Sequence, residues 1–161
     1  MAVREAIREA SRSPAVGDAF RVVQFSLQDN HVHLIVEARD ADALSRGLRG
    51  LTIRVARAVN RSLAVTGPVW GDRYHARALK TPRAVRNALV YVLMNARKHG
   101  EALPTGVDAL SSAPWFAGFV RHVPPPADVE CPVRPPRTWL ANVGWRRRGL
   151  VRFDERPRAP S

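Results

Sequence analysis

His31 and His33 stand two residues apart in the run DNHVHLIVEA. Residues i and i+2 of a β-strand project from the same face, so two imidazoles in this register can grip one metal ion from one side of a sheet. Alone the pair is a weak signal, because such histidines are common on ordinary strands. A second group strengthens it. The run TPRAVRNALVYVLMNARKHG, residues 81–100, has helical spacing, and on a wheel of 100° per residue Asn87, Asn95 and Lys98 fall within about 40° of Tyr91. Val85, Leu89, Val92, Leu93 and Ala96 collect on a separate, apolar face. A tyrosine with an amide one turn later, displayed beside a histidine pair, is a sensible set for breaking a phosphodiester bond. The histidines and the Asn95 carbonyl oxygen can hold Mg²⁺ or Mn²⁺ to polarise a phosphate, and the phenolate can attack phosphorus. With a reference pKa of about 10, the phenol needs activation by metal, base or substrate. Spacing alone favours a plainer role for Tyr91, a helix tyrosine capping the core with its hydroxyl in water.

The elements that must position these groups follow from the pattern. Residues 3–12 read as a short amphipathic helix with Val3, Ala6, Ile7 and Ala10 on one side. Residues 20–28 and 31–38 read as a β-hairpin around the Asp29-Asn30 turn, with Val32, Leu34 and Val36 pointing into the core, away from the histidines. A long amphipathic helix runs from Asp40 to about Leu63, burying Leu44, Leu48, Leu51, Val55 and Val59 and weakened locally by Gly47 and Gly50. Residues 69–79, VWGDRYHARAL, read as an extended strand with a bulge near Gly71. The next helix, roughly 82–99, has Thr81 as N-cap, Pro82 in the first turn and Gly100 just past its end. Ten of the 13 prolines lie from Pro104 to Pro160, which predicts loops and a loosely attached tail. Two features stand out there. Trp115-Phe116 can dock a loop, and RTWLANVGWRRRG, residues 137–149, is equally a helix that anchors the tail or an aromatic-plus-cation contact for nucleic acid.

The charge is unevenly spread. The chain of 161 residues has a net charge of +12, and residues 39–100 hold 13 Lys+Arg against three acids. Of the 26 basic residues 24 are Arg, a bias that a GC-rich genome explains, but it does not explain the scarcity of acids in the middle of the chain. A polyanionic partner, nucleic acid before membrane, is the expectation. Arg46, Arg49, Arg57 and Arg61, opposite the apolar stripe of the long helix, are candidates to cradle a DNA backbone. Cys131 is the single cysteine, which excludes an intrachain disulfide and suits a reducing cytoplasm. The N-terminal run has no signal-peptide core, and no stretch approaches the length of a membrane span. A zinc hydrolase or deaminase is disfavoured, because H-x-E with P-C-x-x-C is absent.

The string DNHVHLIVEA resembles the His-hydrophobe-His motif of the HUH endonucleases, and GDRYHARAL followed by ALVYVLMNARKHG resembles the strand and tyrosine-bearing helix of single-tyrosine, IS200-like transposases. Within these the chain is most similar to the REP-associated tyrosine transposases of bacteria, over about residues 18–100, and RTWLANVGWRRRG looks like the C-terminal segment of one subgroup. The resemblance implies an α+β domain of ferredoxin-like (RRM-like) type at residues 1–100, with helices on one side of an antiparallel sheet, and a C-terminal extension at 101–161. It implies His31 and His33 as metal ligands, Tyr91 as nucleophile and Asn95 as third ligand. Arg73, Tyr74, His75 and Arg77 match its RYHAR-type strand, and with Lys98 they join the expected DNA contacts. Tyr74 is a second candidate nucleophile, placed behind Tyr91 because it lacks the amide four residues on. The implied activity is metal-dependent cutting and rejoining of single-stranded or hairpin DNA through a 5′-phosphotyrosine link, by a monomer or homodimer in the cytoplasm. A non-catalytic single-stranded nucleic-acid binder is the alternative. Family members usually begin with a strand ahead of the first helix; this chain opens on the helix, so a start placed too late or a decayed gene copy is expected before a strand from another chain.

Overall fold

The structure, a computed structural model, describes residues 2–13, 17–95 and 106–157. Its class is α+β. The chain divides into two compact units, the first comprising Met1–Val22, Val36–Ala78 and Pro132–Arg134, the second Val23–Ile35, Leu79–Cys131 and Pro135–Ser161.

In the first unit, α1 (Ala2–Arg12) buries Ala6, Ile7, Ala10 and Ser11 and packs on α2 (Ala41–Leu63). Helix α2 starts where expected. Asp40 is extended and its carboxylate accepts the Ala43 N–H at 2.7 Å, the N-cap bond that the first turn lacks internally. That bond, with help from Arg39, holds the Asp40 carboxyl below its ordinary pKa. The helix ends at Ala64 in a left-handed conformation with φ 52°. Its buried stripe is Ala43, Gly47, Leu48, Leu51 and Val55, while Leu44 and Val59 are half-buried. Gly47 is more than a weak point. A methyl group there would overlap the Phe20 ring, so the missing side chain is what lets α2 lie against that phenylalanine. The buried Arg21 is paired with Asp18 and Glu37.

The sheet among the described residues has two strands, β1 (Phe20–Leu27) and β2 (Val32–Ala38), joined by the expected tight turn. Strand β1 is buried from Phe20 through Ser26 without alternation. Its second edge explains why, because later chain takes up the backbone groups that an open edge would leave to water. Leu27 donates to the Leu110 carbonyl, Ser112 donates to the Phe25 carbonyl, and Arg134 donates to the Val22 carbonyl, each at 2.9 Å. On β2 the sequence reading needs correction: the fully buried residue is Ile35, and Val32, Leu34 and Val36 are only half-buried. Ile35 shares the parity of His33, so the core-facing side of the strand is the histidine side.

The second unit is built around α3 (Pro82–Leu93). Thr81 caps it, its hydroxyl accepting the Ala84 N–H at 3.1 Å, and Pro82 fills the first turn, as the sequence predicts. The regular turns run to Leu93, Met94 interrupts them with φ −109° and ψ 13°, and Asn95 is helical again; the predicted remainder, from residue 96 on and with it Lys98, His99 and Gly100, lies outside the described residues. Val85, Leu89, Val90, Val92, Leu93 and Met94 form one core with Val23 and Ile35 of the hairpin and with Val107, Ala113, Phe119, Trp145 and Val151 of the later chain. The described part of the tail is therefore anchored rather than loose. Phe119 and Val151 pair as a parallel bridge, and Trp145, 1% exposed, stacks on Phe116 at 5.6 Å, with Trp115 in a short 3-10 turn (Ala113–Trp115).

Residues 69–79 form no strand. From Gly71 through Ala78 every residue is exposed; near the start of the segment the Trp70 indole donates to the Thr52 carbonyl and Asn60 to the Gly67 carbonyl, and at its end Leu79 packs on the core. An extended run becomes a strand only when a neighbour takes up its backbone hydrogen bonds, and no ladder does so here among the described residues.

Candidate active site

The hairpin turn and α3 bring three of the expected site residues together in the second unit. His31 sits just before β2, His33 is its second residue, and their Nε2 atoms are 3.0 Å apart. The imidazoles meet edge to face at 4.6 Å. The Tyr91 ring, on α3, meets the His33 ring in the same manner at 4.9 Å and 77°. His31 is exposed, and His33 and Tyr91 are half-buried, so the cluster opens to solvent at its histidine end.

Asn30 fixes how the pair presents itself. Its side-chain oxygen lies 2.6 Å from His31 Nδ1. A neutral imidazole that donates its Nδ1 proton there keeps a bare lone pair on Nε2, the tautomer that a metal ligand needs. The two Nε2 atoms, 3.0 Å apart, are close enough that both could hold one cation. In the sequence Asn30 reads only as a turn residue; its place immediately before the first histidine is the available signal for a second role.

Asn95 follows the break at Met94 and is 1% exposed. Neither its Oδ1 nor its Nδ2 has a hydrogen-bond partner among the described residues. A buried amide left unsatisfied costs about 1–3 kcal/mol, so this carboxamide calls for a partner beyond the described residues. Two imidazole nitrogens as close as those of His31 and His33 are the chemistry of a divalent-cation site, to which the phosphate oxygens of a substrate could add. Asn87, on the same wheel face in sequence, is exposed. Among the described residues there is no cluster of three or more His, Cys, Asp or Glu side chains suited to a metal.

Lys98 aside, the remaining expected residues lie in the first unit. Arg46, Arg49, Arg57 and Arg61 are all exposed on α2, opposite its buried stripe. Arg73, Tyr74, His75 and Arg77 are exposed on the irregular run 69–79, with Tyr74 50% exposed. Sequence reasoning misses Arg86, the residue that ties α3 to the end of the chain. Its guanidinium grips the Glu155 carboxylate at 2.7 and 2.8 Å and donates to the carbonyls of Gly149 and Leu150, each at 2.9 Å. The bonds from Arg86 hold the Glu155 carboxyl below its ordinary range.

A histidine pair with a tyrosine ring packed on it thus stands open to solvent in a chain of net charge +12. The model of one family, Transposase IS200 like, matches residues 1–92. The chain belongs to this family, and its activity class is DNA transposition, which entails binding and cutting DNA. The match includes His31, His33 and Tyr91 and stops short of Asn95. Comparison with curated proteins and with solved structures found no match. Among the described residues no helix is long and apolar enough to cross a membrane.

Proposed function

We propose that this transposase cuts and rejoins single-stranded DNA through a covalent phosphotyrosine on Tyr91, with Mg²⁺ or Mn²⁺ held by His31, His33 and Asn95. The observation that carries the reading is the packing of the Tyr91 ring on His33, whose Nε2 is 3.0 Å from that of His31. When bound, the cation supplies positive charge to the scissile phosphate. Asn30 orients His31 by accepting from Nδ1, and His33 stands between His31 and the Tyr91 ring, holding that ring in place. The Tyr91 hydroxyl oxygen forms a bond to phosphorus while the bond from phosphorus to the 3′ oxygen breaks. The proton lost by the phenol is balanced by the one gained by the leaving 3′ oxygen, so the products are a 5′-phosphotyrosine and a free 3′-hydroxyl. The phosphotyrosine keeps the bond energy, and a 3′-hydroxyl attacking it rejoins the DNA without ATP. The exposed arginines of α2 supply a backbone-binding face, and the strings GDRYHARAL and RTWLANVGWRRRG favour the REP-associated group, with hairpin-flanking sites as substrate.

The test uses single-stranded hairpin oligonucleotides from the DNA flanking this gene, with Mn²⁺ or Mg²⁺, and a denaturing gel for a protein–DNA adduct. An adduct that needs metal and vanishes in Tyr91→Phe is the expected result. Binding without any adduct in wild type would leave a nucleic-acid binder in place of the enzyme.

A further inference from the structure

The run from Arg134 to Leu150 contains no Asp or Glu. It folds into α4 (Trp139–Asn142) followed by a 3-10 turn (Gly144–Arg148) that packs against α3. Its two tryptophans have opposite fates. Trp145 is buried, its indole donating to the Ala141 carbonyl at 3.1 Å, and does the anchoring. Trp139 is 50% exposed. It is nevertheless held in place: a Cβ on Gly144 would meet its ring at 2.6 Å, and the Arg147 guanidinium lies 4.9 Å from the ring centroid. Arg146 and Arg148 flank Arg147, all three are exposed, and none of them forms an ion pair among the described residues. A tryptophan that only anchored the tail would be inside, and an arginine run that only solvated a face would have no reason to sit over a rigid indole.

We propose that residues 137–149 form a second DNA-binding site, carried on the nucleophile helix, in which an unpaired base stacks on Trp139 and the backbone phosphates meet Arg146, Arg147 and Arg148. A rigid aromatic face beside unneutralised cations fits single-stranded DNA, because the bases of a duplex are already stacked and offer no face to the indole. The mounting is rigid as well. Arg86 holds the carbonyls of Gly149 and Leu150, immediately after the arginine run, and Tyr91 lies five residues further along the same helix, a rise of about 7.5 Å. A strand gripped by this site is thus presented at a fixed distance along α3 from the tyrosine. The site rests on the reading of single-stranded DNA as the substrate and adds the contact that positions it.

The experiment is done with the full chain carrying Tyr91→Phe, so that binding is measured apart from chemistry. A fluorescein-labelled single-stranded oligonucleotide is titrated at several salt concentrations by anisotropy, with thermal melting of each variant alongside. Trp139→Ala is expected to weaken binding about 10-fold or more and Trp139→Phe to restore most of it, as base stacking predicts. Replacing Arg146, Arg147 and Arg148 together by Gln is expected to reduce the slope of log affinity against log salt by about 2, the share of three phosphate contacts on a single strand. The arginines are exposed, so that variant reports on the site even where Trp139→Ala melts early. Unchanged affinity in a folded Trp139→Ala with an unchanged salt slope in the arginine variant would overturn the proposal, as would no binding of single strands by the Tyr91→Phe parent. If wild type forms no adduct but binding depends on Trp139, the phosphotyrosine reading fails and this site stands. An adduct in wild type with Trp139-independent binding has the opposite meaning: the phosphotyrosine stands and this site fails.

Discussion

Residues 31–38 and residues 69–79 both read as extended, the first through its β-branched residues and the second through Val69, Trp70 and Tyr74, yet only the first forms a strand. The difference lies in what surrounds each run. Strand β2 has β1 beside it to take its backbone hydrogen bonds, and Ile35 has the apolar face of α3 to enter. The run 69–79 has water on nearly every residue. Local composition therefore proposes a strand, and a neighbouring edge and a covered face decide whether it exists. The same contrast separates two tyrosines: Tyr91 is held against a histidine ring, and Tyr74 is half exposed on a run with no ladder.

The sharpest way to break that contrast is to exchange the roles of the two tyrosines. Tyr91→Phe is expected to abolish the covalent DNA adduct on a denaturing gel, and Tyr74→Phe to leave it; an adduct that persists in the first and disappears in the second would hand the chemistry to the exposed run. Next in size is the loss of the histidine pair. His33→Ala should lower Mn²⁺ affinity at least 10-fold by calorimetry, whereas His75→Ala should leave it alone. A third comparison concerns stability. Ile35→Ala should cost about 2–5 kcal/mol in urea unfolding, as buried large-to-small changes do, while Tyr74→Ala should stay within about 0.5 kcal/mol.

The smallest expected effect follows from acid. Arg86 holds the Glu155 carboxyl below the ordinary glutamate range, so the tie between α3 and the end of the chain contributes its full stability above that range and loses it as pH falls through the lowered value. Both partners keep some solvent contact, which limits the contribution to roughly 1 kcal/mol or less. Urea midpoints of wild type and Glu155→Gln should differ at neutral pH and converge in acid, below the ordinary glutamate range. A gap that persists in acid would mean that the glutamine disturbs packing instead.

Much of this is readable from residue types in order. The hairpin, both caps of the main helices and the histidine pair are local signals: Asp40 and Thr81 announce themselves before helical runs, and Asp29-Asn30 sits between two β-branched stretches. What escapes depends on contacts between residues distant in sequence. Which face of β2 is buried is decided by α3, more than 40 residues later, so alternation in the strand does not say whether Ile35 or Leu34 points inward. Gly47 looks like a flaw in sequence because Phe20, the ring it accommodates, is far away in the chain. Arg86 is one arginine among 24 until its partners at 149, 150 and 155 are beside it. The run 69–79 misleads for the same reason in reverse, since nothing in its own residues records the lack of a pairing edge.

The core around α3 has an evolutionary consequence. The family match ends at residue 92, yet Val107, Phe119, Trp145 and Val151 fill the space against that helix. Shuffling a foreign C-terminal segment onto this gene would open a void behind the very helix that displays Tyr91. The matched segment and the chain that follows it are therefore expected to vary as a pair, each constraining the other's core residues.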